Sequence, residues 1–314
     1  MKPMELNAPC KDYLWGGNRL REFGKVSDKD KIAESWELSC HPDGESIIAG
    51  GEFAGMTLTA FLKAHPETLG ARAARFDRFP VLIKLIDAKD NLSVQVHPDN
   101  EYALRVEGEY GKTEMWYIVD AEEGAQLIYG FAREITREEF RRAIEENTLL
   151  DAVRQVSVHP GDVFFIPAGT LHAIGRGILI AEVQQNSNTT YRVYDYGRVG
   201  ADGKPRALHV DKALEVTDLT PIPDRAPAPV QQEDGHTRQT LGVCDYFDVT
   251  KLCVKTRAEL PAGDAFRHLL VLEGEGTLTG EGVEIALRPG TSVFLPADAS
   301  CTVEGHCTAI LTTV

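Results

Sequence analysis

Three side chains able to hold a cation, His97, Glu114 and His172, stand in or at the ends of stretches that read as strands. From Leu92 to His97 the residue types alternate, and side chains of a strand alternate between faces. Leu92, Val94 and Val96 then share one face; Ser93, Gln95 and His97 share the other. A face made of a hydroxyl, an amide and an imidazole suits a pocket inside a barrel better than a solvated surface. Glu114 opens the next expected strand, through Met115, Trp116 and Tyr117. Farther on, Gly161 to His172 follows the spacing G-x5-P-x-G-x2-H. Its glycines fit turns that need positive φ or a close backbone approach. Two imidazoles, a carboxylate and an amide oxygen form a divalent-metal donor set. The nitrogen-rich set favours zinc, and two His with one carboxylate also suits iron(II). Each of these residues alone reads as an ordinary core group. Their joint occurrence, one of them inside a long spaced motif, carries the metal reading.

The surrounding elements must hold these groups together. Cys10 to Gly17 is expected as an aromatic strand ending in a glycine turn, and Glu34 to Ser39 as a strand with Trp36 in the core. Thr57 caps a short helix through Leu62, and Pro80 to Ile86 is a buried strand. A short helix is expected over 101–107, and a hairpin around Glu122-Glu123-Gly124. Thr136-Arg137-Glu138-Glu139 is a capping box that opens a helix inserted in the β run. Gly177 to Gln184 and Thr190 to Asp195 are further strands. After Pro221 to Pro229, rich in proline, the chain is again β, with a turn at Glu273-Gly274-Glu275-Gly276. Pro160 to Pro167 is echoed by Pro289 to Pro296, but the second copy has Asp298 for Gly169 and Cys301 for His172. The repeat predicts a second domain without the metal ligand.

Composition narrows the function. At 314 residues, 43% hydrophobic and 26% charged, the chain has room for two globular domains. The net charge of −15 disfavours nucleic acid and anionic membrane as partners. No apolar run approaches the ~18 residues of a membrane span. Residues 1–5 lack the apolar segment of a signal peptide, and the six cysteines form no C-x-x-C pair, so a cytoplasmic location is expected.

The motif over 161–172 resembles the second metal motif of the cupin superfamily. With it, Leu92 to Pro98, Gly111 to Glu114 and Gln184 to Asp195 resemble type I mannose-6-phosphate isomerases in their short bacterial form, from the Trp-Gly-Gly near the start to the last strand. The resemblance implies a mainly β fold of two cupin-like β-barrels (jelly rolls) with short helical insertions in the first. It implies a catalytic domain over 1–220, a connector over 221–236 and a cupin-like domain over 237–314 without metal ligands. It implies one zinc ion on His97, Glu114 and His172, with Gln95 as a ligand or substrate contact. Ser93 and Lys112 match substrate-holding positions, Arg192 the active-site arginine, and Glu182 a carboxylate assigned to proton transfer. From their surroundings alone, Lys112 could be a solvated lysine, Arg192 a partner of Asp195, and Glu182 a structural carboxylate. The activity implied is interconversion of mannose 6-phosphate and fructose 6-phosphate through a cis-enediolate. The readings set against it are a cupin-type glucose-6-phosphate isomerase, an iron(II) oxygenase and a non-catalytic sugar-phosphate-binding cupin. A monomer or weak homodimer is expected.

Overall fold

The computed structural model describes residues 1–200, 203–224 and 226–314. Residues 201 and 202, within the expected first domain, and residue 225, within the expected connector, lie outside the described residues. The chain is mainly β, and no helix of the described residues is long and apolar enough to cross a membrane.

Two antiparallel sheets hold the strands of His97, Glu114 and His172, no longer in sequence order. One runs Val163–Ile166, Glu114–Ala121, Ile178–Gln185, Val81–Ala88, Glu34–Leu38, Cys10–Lys11. The other runs Val153–Ser157, Gln126–Phe131, His172–Ala173, Val94–Val96, Tyr191–Tyr194. Strand alternation sorts the first sheet's side chains. Ile83, Leu85, Met115, Tyr117, Ala181 and Val183 face a core shared with the C-terminal half, where Phe247, Phe266 and Phe294 meet them. Ile86, Trp116, Ile118 and Ile180 face the second sheet, in a core with Leu127, Tyr129 and Ile166. Lys84, Glu114 and Glu182 alternate with the first set and therefore point into this inner space.

Helices cover the second sheet's outer side. Thr136 and Glu139 form the expected capping box on Arg137–Glu145, which buries Phe140 and Ile144 beside Val94 and Val96. Val210–Val216, unforeseen in the sequence, adds Ala213 and Leu214 to that core. Thr57 caps Leu58–Ala64 as expected. Asp99 caps a helix over Asn100–Val106, one residue earlier than expected.

Cys40–His41 pairs with Gly44–Glu45 in a small sheet of two, and the remaining strands form one ten-stranded sheet. Its path is Gln231–Glu233, His236–Val243, Asp248–Val254, Cys301–Thr313, Arg267–Gly280, Ser292–Leu295, Met4–Asn7, Ile47–Ile48. Arg257–Leu260 and Val283–Leu287 join beside the path. The start of the chain is thus built into the sheet of its end.

Four local expectations need correction. Glu114–Ala121 and Gln126–Phe131 are not a hairpin: both edges of the first strand are taken by Val163–Ile166 and Ile178–Gln185, so the turn at Gly124 carries the chain to the other sheet. The expected turn at 273–276 is instead the middle of a 14-residue strand. Its partner strand runs alongside without a break except a bulge between Val271 and Glu273, where Gly274 takes φ 75 and a Cβ would meet the His306 carbonyl at 2.1 Å. The strand near Cys10 is only Cys10–Lys11, because the chain turns before the tryptophan. Leu92 precedes its strand and packs with the inner core, not with Val94 and Val96.

Candidate metal centre

Two cross-strand rows face each other in the inner space. In antiparallel pairs, residues in register project to the same side. Gln95 is in register with His172 on one neighbour and with Arg192 on the other. On the opposing sheet, Trp36, Lys84, Glu182 and Trp116 are in register one after another. Glu114 lies two residues before Trp116, at the same face.

The ligand atoms of His97, Glu114 and His172 lie within 4.8 Å of one another, and all three residues are buried. His97 Nε2 is 3.2 Å from Glu114 Oε1, and His172 Nε2 is 3.7 Å from Glu114 Oε2. His97 Nδ1 donates to the Thr189 carbonyl at 2.8 Å and His172 Nδ1 to the Thr170 carbonyl at 2.9 Å. A carbonyl only accepts, so both rings carry their proton on Nδ1 and turn the Nε2 lone pair inward. His172 Nε2 is buried without a hydrogen-bond partner among the described residues. Such a group is costly unless something binds it. The three residues are thus a group that could hold a divalent cation.

Electrostatics agrees. Burial, then the Lys112 ammonium, pushes the His97 imidazole down to about 3. Burial pushes the His172 imidazole down as well. Both are therefore neutral at physiological pH, as ligands must be. Burial works to raise Glu114, but Lys112, then His97 and His172, outweigh it and hold the carboxyl well below its usual range. Lys112 pairs with Glu114 Oε1 and lies 3.3 Å from His97 Nε2. At 5% exposure it is not the solvated lysine that its loop suggested.

Lys112, which touches Glu114, also lines a cavity of about 310 Å³, together with Ser93, Gln95, Glu182 and Arg192. All five residues singled out in the sequence besides the three candidate ligands thus meet at one space. Arg192 Nε donates to Ser93 Oγ at 3.2 Å and its Nη1 to the Ala207 carbonyl at 3.1 Å. Asp195, the expected alternative partner, is held by Arg198 and Arg206 instead. Glu182 Oε2 accepts from Trp116 Nε1 at 2.7 Å, while Oε1 lies 3.5 Å from Lys84 Nζ. Burial, then the Glu114 charge, raises the Glu182 carboxyl.

Sequence reasoning missed Lys84, Glu34 and Arg206, which line the same cavity. Lys84 Nζ lies 3.4 Å from Glu34 Oε2, which also accepts from Trp36 Nε1 at 2.8 Å. Burial alone would lower the Lys84 ammonium, but Glu34 and Glu182 outweigh it and raise it. The signal was present: an ammonium inside the apolar run of residues 80–86 must have a buried counter-charge.

A buried imidazole–carboxylate group able to hold a metal ion, next to residues that line a polar cavity between antiparallel sheets, is the kind of site an enzyme of β architecture carries. Residues 4–138 match the family described as phosphomannose isomerase type I, catalytic domain, and residues 237–314 match the mannose-6-phosphate isomerase cupin domain. A mannose-6-phosphate isomerase of Bacillus subtilis is 40% identical over 296 residues, 94% of this chain and 93% of that protein. One from Streptococcus mutans is 38% identical over 94% of this chain and 92% of its own. The crystal structure of the mannose 6-phosphate isomerase from Bacillus subtilis superimposes with a TM-score of 0.94 at 36% identity, covering 100% of both chains. The chain belongs to the type I phosphomannose isomerase family.

Proposed function

We propose that this chain interconverts mannose 6-phosphate and fructose 6-phosphate through a cis-enediolate, using one zinc ion held by His97, Glu114 and His172. The inward-facing, partnerless His172 Nε2 beside Glu114 and His97 is the observation that carries this reading. Gln95, in register with His172, is the fourth protein group placed to touch the ion or the sugar. When bound, the zinc acts as a Lewis acid on the sugar oxygens and lowers the barrier to removing a proton from the neighbouring carbon.

The chain's own residues do the rest. Glu182 takes the C2 proton of the aldose and returns it at C1; its burial holds the carboxyl closer to neutral pKa, where a base is most effective. Trp116 holds one oxygen, which leaves the other, beside Lys84 Nζ, as the proton acceptor. Lys84, between Glu34 and Glu182, compensates negative charge that would otherwise accumulate beside the enediolate. Arg192, steadied by Ser93, offers a fixed cation to the enediolate or the phosphate. Arg206 supplies a second guanidinium on the same wall. Lys112 sits against Glu114 at the floor and holds the oxygens nearest the ligands. In a chain of net charge −15, cations gathered on one cavity favour an anionic substrate and leave the oxygenase reading without a use for them.

At the level of domains, two cupin-like barrels are proposed: a catalytic unit over 1–220, a connector over 221–236, and a unit over 237–314 whose Cys301 stands where a ligand imidazole would be. The sequence repeat and the family matches support this division. The test is direct. The purified chain is supplied with mannose 6-phosphate and, separately, with glucose 6-phosphate, and fructose 6-phosphate is measured. Turnover of the mannose ester is expected; turnover of only the glucose ester, or of neither, overturns the assignment.

A further inference from the structure

Glu109 lies outside the cavity, yet it fixes the turn that orients a ligand. Its Oε2 accepts from Ser187 Oγ at 3.3 Å, from the Asn188 backbone N–H at 3.3 Å and from Thr189 Oγ1 at 3.1 Å. Its Oε1 faces His41 Nε2 at 3.2 Å. The Asp43 backbone N–H donates to His41 Nδ1 at 3.1 Å, so the proton of His41 is on Nε2 and points at Glu109. One carboxylate thereby gathers donors from three consecutive residues and is itself held from behind. The turn is closed further by Thr189 N–H on Ser187 Oγ at 3.2 Å, and by Asn188 Nδ2 on Asp43 Oδ2 at 2.7 Å. What the turn delivers is the Thr189 carbonyl, 2.8 Å from His97 Nδ1. That carbonyl keeps the proton on Nδ1 and the lone pair on Nε2, the atom facing Glu114. The same turn places Asn188 and Thr190 on the cavity wall.

We propose that Glu109, backed by His41, is a positioning residue for the metal centre: it clamps the 187–189 turn so that the Thr189 carbonyl sets the tautomer and aim of His97. The chemistry favours a carboxylate here. Only an acceptor with several lone pairs can take three donors from one turn and a fourth from behind. Among the described residues no Lys or Arg is paired with Glu109, so the group is not part of a surface ion pair. His41, buried to 4% exposure, is likewise unexplained by metal or substrate contact.

The inference rests on His97 being a metal ligand, and the test separates the two. In the full-length chain freed of metal, long-range proton–nitrogen spectra of labelled histidines report the His97 tautomer. The wild type is expected to hold the proton on Nδ1, and Glu109→Ala to give a mixture. In parallel, zinc affinity is measured by chelator competition, with thermal melting as a check on folding. Glu109→Ala is expected to bind zinc about tenfold more weakly, the scale of losses when a group supporting a ligand is removed. His41→Gln, whose amide N–H can replace Nε2–H, should retain the wild-type tautomer and affinity. If Glu109→Ala does not fold, Glu109→Gln carries the same test: its amide opposes the His41 donor and should loosen the turn. A single Nδ1–H tautomer and unchanged zinc affinity in the folded variant would overturn the proposal. A wild type that takes up no zinc would overturn the metal reading instead, while the tautomer spectra would still decide the role of Glu109.

Discussion

At the scale of single residues, the division of labour in the cavity follows from who is paired and who is not. His172 has one nitrogen fixed and the other open to the centre, so His172→Ala should lose zinc and turnover together. Full zinc retention, by metal analysis, would remove it from the ligand set. Arg192 touches Ser93 and a carbonyl but no ligand, so Arg192→Ala should keep the zinc and lose about 10²–10³ in kcat, the cost of removing one preorganised transition-state contact. Near-normal kcat would return it to a structural role. Glu182→Gln should lose about 10²–10⁴ in kcat, the worth of a general base. The acid limb of the wild-type kcat/KM profile should lie above the ordinary carboxylate range and vanish in this variant, since only the deprotonated form accepts a proton. That His97, Glu114 and His172 come together was legible because their spacing is a motif. Lys84 stood out as a charge in an apolar run, but its counter-charges Glu34 and Glu182 lie far from it in the chain, so its place at the site was not legible.

At the scale of elements, the sequence was most readable where structure is decided locally. Thr57 and Thr136 marked helix starts because a cap satisfies N–H groups within its own turn. Thr136→Ala should therefore cost about 1 kcal/mol in denaturant unfolding and leave kcat unchanged, because that helix lies on the outer side of the second sheet. A loss of activity at unchanged zinc content would contradict this placement. Strand partners are decided by distant segments, and there the reading failed: residues 116–119 and 125–129 looked like a hairpin, yet they belong to different sheets. Gly111 shows how tightly the ligand strand is entered. A Cβ there would meet the Asp99 carbonyl carbon at 2.3 Å and the Asn100 nitrogen at 2.5 Å. Gly111→Ala should destabilise the chain by about 1–3 kcal/mol, as overpacking does, and weaken zinc binding by displacing Lys112 and Glu114. Melting temperature and zinc affinity both unchanged would show that this approach does not position the site.

At the scale of the molecule, one core joins the two halves, and Met4–Asn7 pairs across to Ser292–Leu295. Nothing in the first residues announces this, because a four-residue strand has no pattern that names its partner. Across the same junction His268 Nε2 meets Ser292 Oγ at 2.8 Å, and burial pushes its imidazole down to about 3. With His97 and His172 similarly lowered, the folded chain holds at least three neutral buried imidazoles. An unfolded chain protonates them below about 6.5, so their contribution to stability is complete above that pH and is lost progressively as pH falls below it. Glu182 and Asp248, both raised on folding, oppose this. The metal-free chain should melt at a lower temperature at pH 5 than at pH 7; a higher melting temperature at pH 5 would contradict the account. The most direct measurement of the central claim follows metal content and isomerase turnover together, through chelation and stepwise return of zinc. Turnover of mannose 6-phosphate should vanish on chelation and rise linearly to a break at one zinc per chain. Undiminished turnover in the stripped protein, or none with one zinc bound, would contradict it.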